Sequence, residues 1–430
     1  MKIILHGAAQ EVGKSCIEII TEGKRYIMDA GVKFTQHGAE YPLYLDQVYE
    51  LDGVFLSHAH LDHSGALPLL EHKNLKCPIH CTTLTWKITN LLLQDSMHLE
   101  KLKHIHPVYT ERDVNKIQND LRFVNYNQAY TTPDGKVKFT FLNAGHIPGS
   151  ASILLEIEGK KVLYTADYNT EKTLLMIESD LEKLTTPIDV LITENTYGDR
   201  PHPPRDEVET GLLKSINSCI REGGSVLIPV FSVGRSQEIL LLLSKLETEH
   251  PIYLDGMPKK INDLVLKSND PYVDNLDILA KMSKRVIPVV SQSMREEISR
   301  KKGVIIVSSS GMVQGGPVVT YAERMIRDEN NFIILTGYQG KGTNGRFMFE
   351  DHMFYNHHNK EFVKAHVRKF DFSAHLGQES IRKVMMKIKP KNLILQHGDI
   401  EALVESKKFA EDNMKETKVF MPKAGEVMEF

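Results

Sequence analysis

Residues 57 to 65 read SHAHLDHSG, so His58, His60, Asp62 and His63 fall within six positions, directly after the apolar run GVFL. No other feature constrains the fold as strongly. One cation cannot use all four side chains from so short a loop. Where the loop leaves a strand, His58 and His60 can point to one side while Asp62 and His63 turn to the other, which suits two cations a few ångströms apart. Read as an ordinary solvated loop, the segment would owe both its residue types and their spacing to chance. The chain must therefore fold so that further ligands reach the end of this strand.

Candidates stand at the ends of other short apolar runs. KRYIMD ends at Asp29, DGVFLSH at His58, and KFTFLNAGH reaches His146. KKVLYTAD ends at Asp167, IDVLITE at Glu194 and KNLILQH at His397. Runs of this length, rich in Val, Ile and Leu, predict buried strands followed by loops. Helical stretches at 207–221, 236–247 and 378–387 alternate with them, which makes the fold α/β. Taken singly, His146 or His397 would more often be a buried core histidine than a ligand; strand-end position raises both. His104 and His106, which follow a charged helical stretch, and His357 and His358, in a polar segment, are set aside. Imidazoles and carboxylates without thiolates favour zinc, with manganese and iron open on ligand type alone, and the Asp167 carboxylate can bridge two ions.

At 430 residues the chain is long enough for two cores. No stretch of eighteen uncharged apolar residues occurs, so no membrane span is expected. The N-terminal residues lack the long apolar region of a secretory signal, and four cysteines are too few to staple the fold, so a cytoplasmic protein is expected. Cys77 and Cys81 flank His80, but no second ligand pair follows at finger spacing. The formal charge of -3 excludes a globally basic coat for nucleic acid, so any RNA must be gripped locally. AAQEVGKS ends like a phosphate-binding P-loop, yet Ala8 holds its first glycine position and a strand pattern follows where a helix is needed.

HAHLDH resembles the HxHxDH signature of the metallo-β-lactamase superfamily, and Asp29, His146 and Asp167 match its other motifs. That resemblance implies that His58, His60 and His146 bind one zinc ion, Asp62 and His63 a second, and Asp167 both, while Asp29 orients the ligand loop by hydrogen bonds. The 230 positions between Asp167 and His397 exceed what a simple hydrolase of this kind needs. They resemble the β-CASP nucleases: TENTYGD matches motif A with Glu194, FSAH motif B with His375, and LQHG motif C with His397. A histidine in motif C is the pattern of the RNA-directed members, and His397 would complete the second zinc site. GAAQEVGKSC, PVFSVGRSQE, SSSGMVQGGP and GYQGKGTNGR look like the branch that includes the endonuclease subunit of the cleavage and polyadenylation specificity factor.

The fold so implied is a metallo-β-lactamase αββα sandwich, residues 1–198 and 366–430, with an inserted Rossmann-like α/β β-CASP domain at 199–365. The activity implied is a zinc-dependent ribonuclease with two zinc ions, cutting single-stranded RNA to 5′-phosphate and 3′-hydroxyl ends as an endonuclease with 5′–3′ trimming open. Asp62, Asp167, Glu194 and His375 would be catalytic, His375 acting as the acid held by Glu194. Glycines let backbone amides approach phosphate, so Arg235, Lys341, Arg346 and Ser373 are candidate RNA contacts. The chain starts directly at the catalytic strand and only 33 residues follow His397, so no RNA-binding module or extra C-terminal domain is expected. The resemblance is compatible with a homodimer and with RNA-processing partner proteins. Rival readings are a small-molecule hydrolase of the thioesterase or lactamase type and a non-catalytic scaffold.

Overall fold

All six apolar runs are strands, and their pairing explains why their ends meet. In the computed structural model, which describes every residue except 36, 37, 44, 46–49, 103–107, 357 and 358, the chain divides into two compact units. His104, His106, His357 and His358 lie outside the described residues. Unit 1 comprises Met1–Lys172, Ile177–Pro201 and His375–Phe430; unit 2 comprises Thr173–Met176 and His202–Ala374.

Unit 1 is built on two seven-stranded sheets. The first runs Val427–Glu429, Lys2–Gly7, Cys16–Thr21, Lys24–Met28, Gly53–Phe55, Ile79–Cys81, Leu121–Phe123. The second runs Lys418–Phe420, Asn392–Gln396, Val190–Glu194, Lys160–Tyr164, Ala151–Ile157, Val137–Asn143, Ala129–Thr131. Ile3, Leu5, Tyr26 and Phe55 of the first sheet pack against Phe139, Ile153, Tyr164, Ile192 and Ile394 of the second, and burying these faces drives the two sheets together. On the far side of the first sheet, Leu67, Trp86, Leu93, Val114 and Ile117 come from three helices. On the far side of the second, Ile381, Val384, Met385, Leu403 and Ala410 come from the helices Gln378–Ile388 and Ile400–Asn413. The result is the αββα sandwich.

Strand direction then gathers the chemistry. Lys24–Met28 pairs in parallel with Gly53–Phe55, and Lys160–Tyr164 in parallel with Val190–Glu194, which is parallel to Asn392–Gln396. Val137–Asn143 is antiparallel to Ala151–Ile157, which is antiparallel to Lys160–Tyr164, so it too runs with them. Residues that follow these strands therefore leave a common edge of each sheet.

The segment 8–15 is a loop between two strands, and Lys14 is buried in ion pairs with Glu11 at 3.2 Å and Glu40 at 3.3 Å, as no nucleotide-binding lysine would be. His80 is a core residue, stacked on Phe55 with ring centroids 5.3 Å apart, and burial lowers its pKa to about 4.

Unit 2 carries a six-stranded parallel sheet in the order Ile287–Pro288, Ile252–Asp255, Ile305–Ser308, Val226–Pro229, Phe332–Leu335, His366–Lys369. Its helices include Arg205–Arg221, Arg235–Leu243 and Val318–Met325. The predicted helix at 236–247 ends earlier, at Leu243. The two Gly-rich loops, which follow the strands Ile305–Ser308 and Phe332–Leu335 on either side of Val226–Pro229, tie to one another. Gln339 Nε2 donates to the Gly311 carbonyl (3.1 Å), Gln314 Nε2 to that of Gly342 (3.4 Å), and the Asn344 amide to Gln314 Oε1 (2.9 Å).

Candidate metal centre

At the common strand edge of unit 1, two groups of side chains share one carboxylate. His58, His60, His146 and Asp167 form one group, and Asp62, His63, Asp167 and His397 the other; in each, one ligand atom per residue lies within 4.8 Å of all the rest. Asp167 Oδ2 is 3.6 Å from His58 Nε2, 3.4 Å from His63 Nε2 and 3.7 Å from His146 Nε2, while Oδ1 is 3.5 Å from His397 Nδ1. His60 Nδ1 faces His146 Nε2 at 3.2 Å.

Whether these residues suit a cation can be tested on their hydrogen bonds. His58 Nε2, His63 Nε2, His397 Nε2 and Asp167 Oδ1 are all buried without a hydrogen-bond partner. Leaving such an atom unpaired costs about 1–3 kcal/mol each, so four in one pocket call for a ligand that takes lone pairs. Burial, reinforced by the neighbouring His63, lowers the His58 pKa well below the usual histidine value, and burial also lowers that of His60. Both are thus held neutral, the form that binds metal. Burial disfavours the charged forms of His63 and Asp167 as well, but it is outweighed. Asp167 and Asp29 raise the His63 pKa well above its usual value, and His63 with His397 lowers that of Asp167 well below the carboxylate range. A donor set of imidazoles and carboxylates therefore fits a divalent cation, and among the described residues no candidate metal group contains a cysteine.

The backbone accepts strain to build this edge. Asp29 (φ 59°), Ala166 (φ 50°) and His397 (φ 51°) are left-handed although none is glycine. Gly31 permits the closest approach: a Cβ there would stand 1.7 Å from the Asp62 carbonyl oxygen. Asp29 stands behind the pocket. Its carboxylate accepts from the Ser57 amide, the Ser57 hydroxyl and the Tyr164 hydroxyl, each at 2.7 Å, and contacts His63 Nδ1 at 2.7 Å. Fixing Nδ1 in this way turns His63 Nε2 toward Asp167.

Beside the pocket, His375 Nδ1 meets Glu194 at 2.8 Å and 3.0 Å and lies 3.9 Å from Asp167 Oδ2. Burial opposes its imidazolium, but the charges of Glu194 and Asp167 prevail and raise its pKa to about 9. Asp167, Glu194 and His375 also satisfy the geometry of a ligand group, yet the short contact from His375 is a hydrogen bond to Glu194 through Nδ1. Thr196 ties the arrangement together, its hydroxyl 2.5 Å from Glu194 Oε2 and 3.2 Å from His397 Nδ1. Thr196, Ser57 and Tyr164 were not among the sequence candidates. Thr196 lies within TENTYGD, so only its residue type, a short hydroxyl two positions past Glu194, could have singled it out.

A metallo-beta-lactamase superfamily domain matches residues 21–196, a Beta-Casp domain 236–348, and a Zn-dependent metallo-hydrolase RNA specificity domain 362–422. A protein named Probable RNase MJ4 from Methanocaldococcus jannaschii is 36% identical over 93% of each chain. The chain is a β-CASP member of the metallo-β-lactamase superfamily. Cleavage and polyadenylation specificity factor 73 of Drosophila melanogaster, 29% identical, matches 91% of this β-CASP chain and 59% of its own length. The crystal structure of a protein of unknown function from Enterococcus faecalis V583 shares the fold, with a TM-score of 0.63 over 99% of both chains at 15% identity. No helix among the described residues is long and apolar enough to cross a membrane.

Four of the sequence candidates belong to unit 2, and the metal-ligand groups do not include them. Arg235 lies with its guanidinium 5.9 Å from the Phe372 ring, Arg346 pairs with Glu350 at 2.9 Å, Lys341 is exposed in its Gly-rich loop, and Ser373 is half-buried.

Proposed function

We propose that this β-CASP protein is a ribonuclease that binds two zinc ions and hydrolyses single-stranded RNA internally, leaving 5′-phosphate and 3′-hydroxyl ends. The observation that carries the reading is the pair of ligand groups meeting at Asp167, with four buried ligand atoms that have no hydrogen-bond partner. His58, His60 and His146 would hold one ion, Asp62, His63 and His397 the other, and Asp167 both. Bound there, the ions would lower the pKa of a water molecule and offset charge on the phosphoryl oxygens. Asp29 keeps the His63 ring turned to its task through Nδ1. Glu194 holds His375 protonated, and His375 gives that proton to the departing 3′ oxygen, which leaves as a hydroxyl. With a net charge of -3, the chain must grip RNA locally, and Arg235, Lys341, Arg346 and Ser373 are the candidate phosphate contacts.

The relatives' names, Probable RNase MJ4 and Cleavage and polyadenylation specificity factor 73, support RNA over a small-molecule ester or lactam. The experiment is cleavage-site mapping on a transcript with single-stranded and duplex segments, comparing wild type with His375→Ala. Internal cuts in the single-stranded segments, lost in His375→Ala while bound zinc is retained, are expected. Loss of zinc along with activity would move His375 into metal binding, and cuts confined to the 5′ end would make the enzyme an exonuclease.

A further inference from the structure

Unit 2 has a groove of about 710 Å³ on the surface formed by the helix Arg205–Arg221 and the strand His366–Lys369, which is an edge of the parallel sheet. Its lining includes Lys214, Ser218 and Arg221 from the helix and Arg368 and Phe370 from the strand and the residue following it. No lining residue is acidic. Lys214, Ser218 and Arg221 recur at the three- and four-residue spacing of one helical face, so the two cations are separated by about 10 Å along the axis at 1.5 Å per residue. Among the described residues none of the three cations has a carboxylate partner, although nearby acids are engaged: Glu209 by Arg205 and Lys245, and Glu222 by the Ser218 hydroxyl.

Two of the three cations have an ordinary explanation in part. Arg221 in the last helical turn complements the helix dipole, and a charged edge strand discourages pairing with a second chain. Neither explains Lys214, which is mid-helix, nor the arrangement of Arg368. Its guanidinium donates to Ser215 Oγ at 2.7 Å and stacks 4.5 Å from the Phe332 ring, so it is fixed beside the groove rather than waving in solvent. Phe370 adds an aromatic ring, which a groove meant only for an inorganic anion does not need.

Unpaired cations beside an aromatic ring are the combination that holds a single nucleic-acid strand, phosphates on the charges and a base on the ring. We infer that this groove is an RNA-binding subsite of unit 2, holding phosphates with Lys214, Arg221 and Arg368 and stacking a base on Phe370. The inference rests on the ribonuclease reading for the choice of RNA over an acidic polypeptide. The metal pocket is made of unit 1 residues, so the subsite adds affinity through groups that take no part in the chemistry.

The test measures binding without cleavage. Lys214→Glu combined with Arg221→Glu changes exposed positions only, and Lys281→Glu combined with Lys284→Glu, exposed on the helix Leu276–Arg285, matches the change in net charge elsewhere in unit 2. In chelator, fluorescence anisotropy with a labelled uridine-rich oligonucleotide is expected to show about tenfold weaker binding for the groove variant. The slope of log affinity against log salt should be shallower by about 1.4, two phosphates at about 0.7 each for a single strand. The control variant should bind as wild type does. Photocrosslinking of 4-thiouridine RNA should label the peptide containing Phe370. Equal affinity and slope for groove variant and wild type overturn the subsite, and so does a groove variant that binds RNA normally but has lost binding to polyglutamate. Because no cleavage is measured, a wild type that binds but never cuts RNA counts against the nuclease reading alone.

Discussion

At the scale of single residues, the account turns on how buried charge sets protonation. His375 is held protonated by Glu194, with a pKa of about 9 against the usual histidine value near 6.5. As the acid it must carry its proton, so kcat/KM should fall as pH rises through its pKa. Glu194→Gln removes the largest favourable charge, and the alkaline limb should move to lower pH. Bound cations would lower the limb in both enzymes, so the difference between them is the test; an unmoved limb would remove His375 from the acid role. Asp29 predicts a different loss. Asp29→Asn keeps the shape but weakens the hold on His63, and metal affinity should fall by about 10- to 100-fold by competition with a chromophoric chelator. An unchanged affinity would make Asp29 a folding residue only. His63 carries its own pH dependence: in the metal-free chain its raised pKa means that metal must displace a proton. Apparent metal affinity should therefore rise with pH across the range above the usual histidine value, as read by titration calorimetry in buffers of different protonation enthalpy.

At the scale of elements, strand ends were legible because a buried parallel strand shows as an uninterrupted apolar run, and each of the six runs chosen is a strand. Their convergence was not legible. It follows from pairing order: Val190–Glu194 lies beside Asn392–Gln396, with Glu194 opposite Gln396, although some two hundred positions separate them in the chain. Likewise the resemblance of FSAH and TENTYGD supplied His375 and the expectation that Glu194 holds it, but nothing local to either could show that the contact is made through Nδ1. Hydroxyl partners such as Thr196 and Tyr164 were invisible for the same reason, since Ser, Thr and Tyr occur everywhere and acquire a role only through a neighbour. The loop beyond Gly53–Phe55 makes an element-scale prediction. Gly31→Ala would drive a methyl group into the Asp62 carbonyl, so the loop carrying Asp62 and His63 must shift. Thermal stability should drop by about 1–3 kcal/mol, the usual cost of overpacking, and one metal per chain should be lost. Full metal content in that variant would mean that the loop yields without cost to its ligands.

At the scale of the whole molecule, the sandwich of unit 1 explains why so many ligands can be held with little freedom. The strand ends that carry them are anchored in a core shared by two sheets, so a ligand's position is set by the fold rather than by its own loop. The length of the chain and the gap between Asp167 and His397 announced a second core, and unit 2 provides it. What the totals could not show is which local surface replaces the missing global positive charge; that required the placement of Lys214, Arg221 and Arg368. The central claim is that paired cations gathered at Asp167 make this chain a nuclease. Its most direct test is the opening of a circular single-stranded RNA, followed by gel before chelation, after chelation and after zinc is restored. The account predicts linear product, then none, then linear product again. A circle left intact in all three, or opened equally well in chelator, would contradict it.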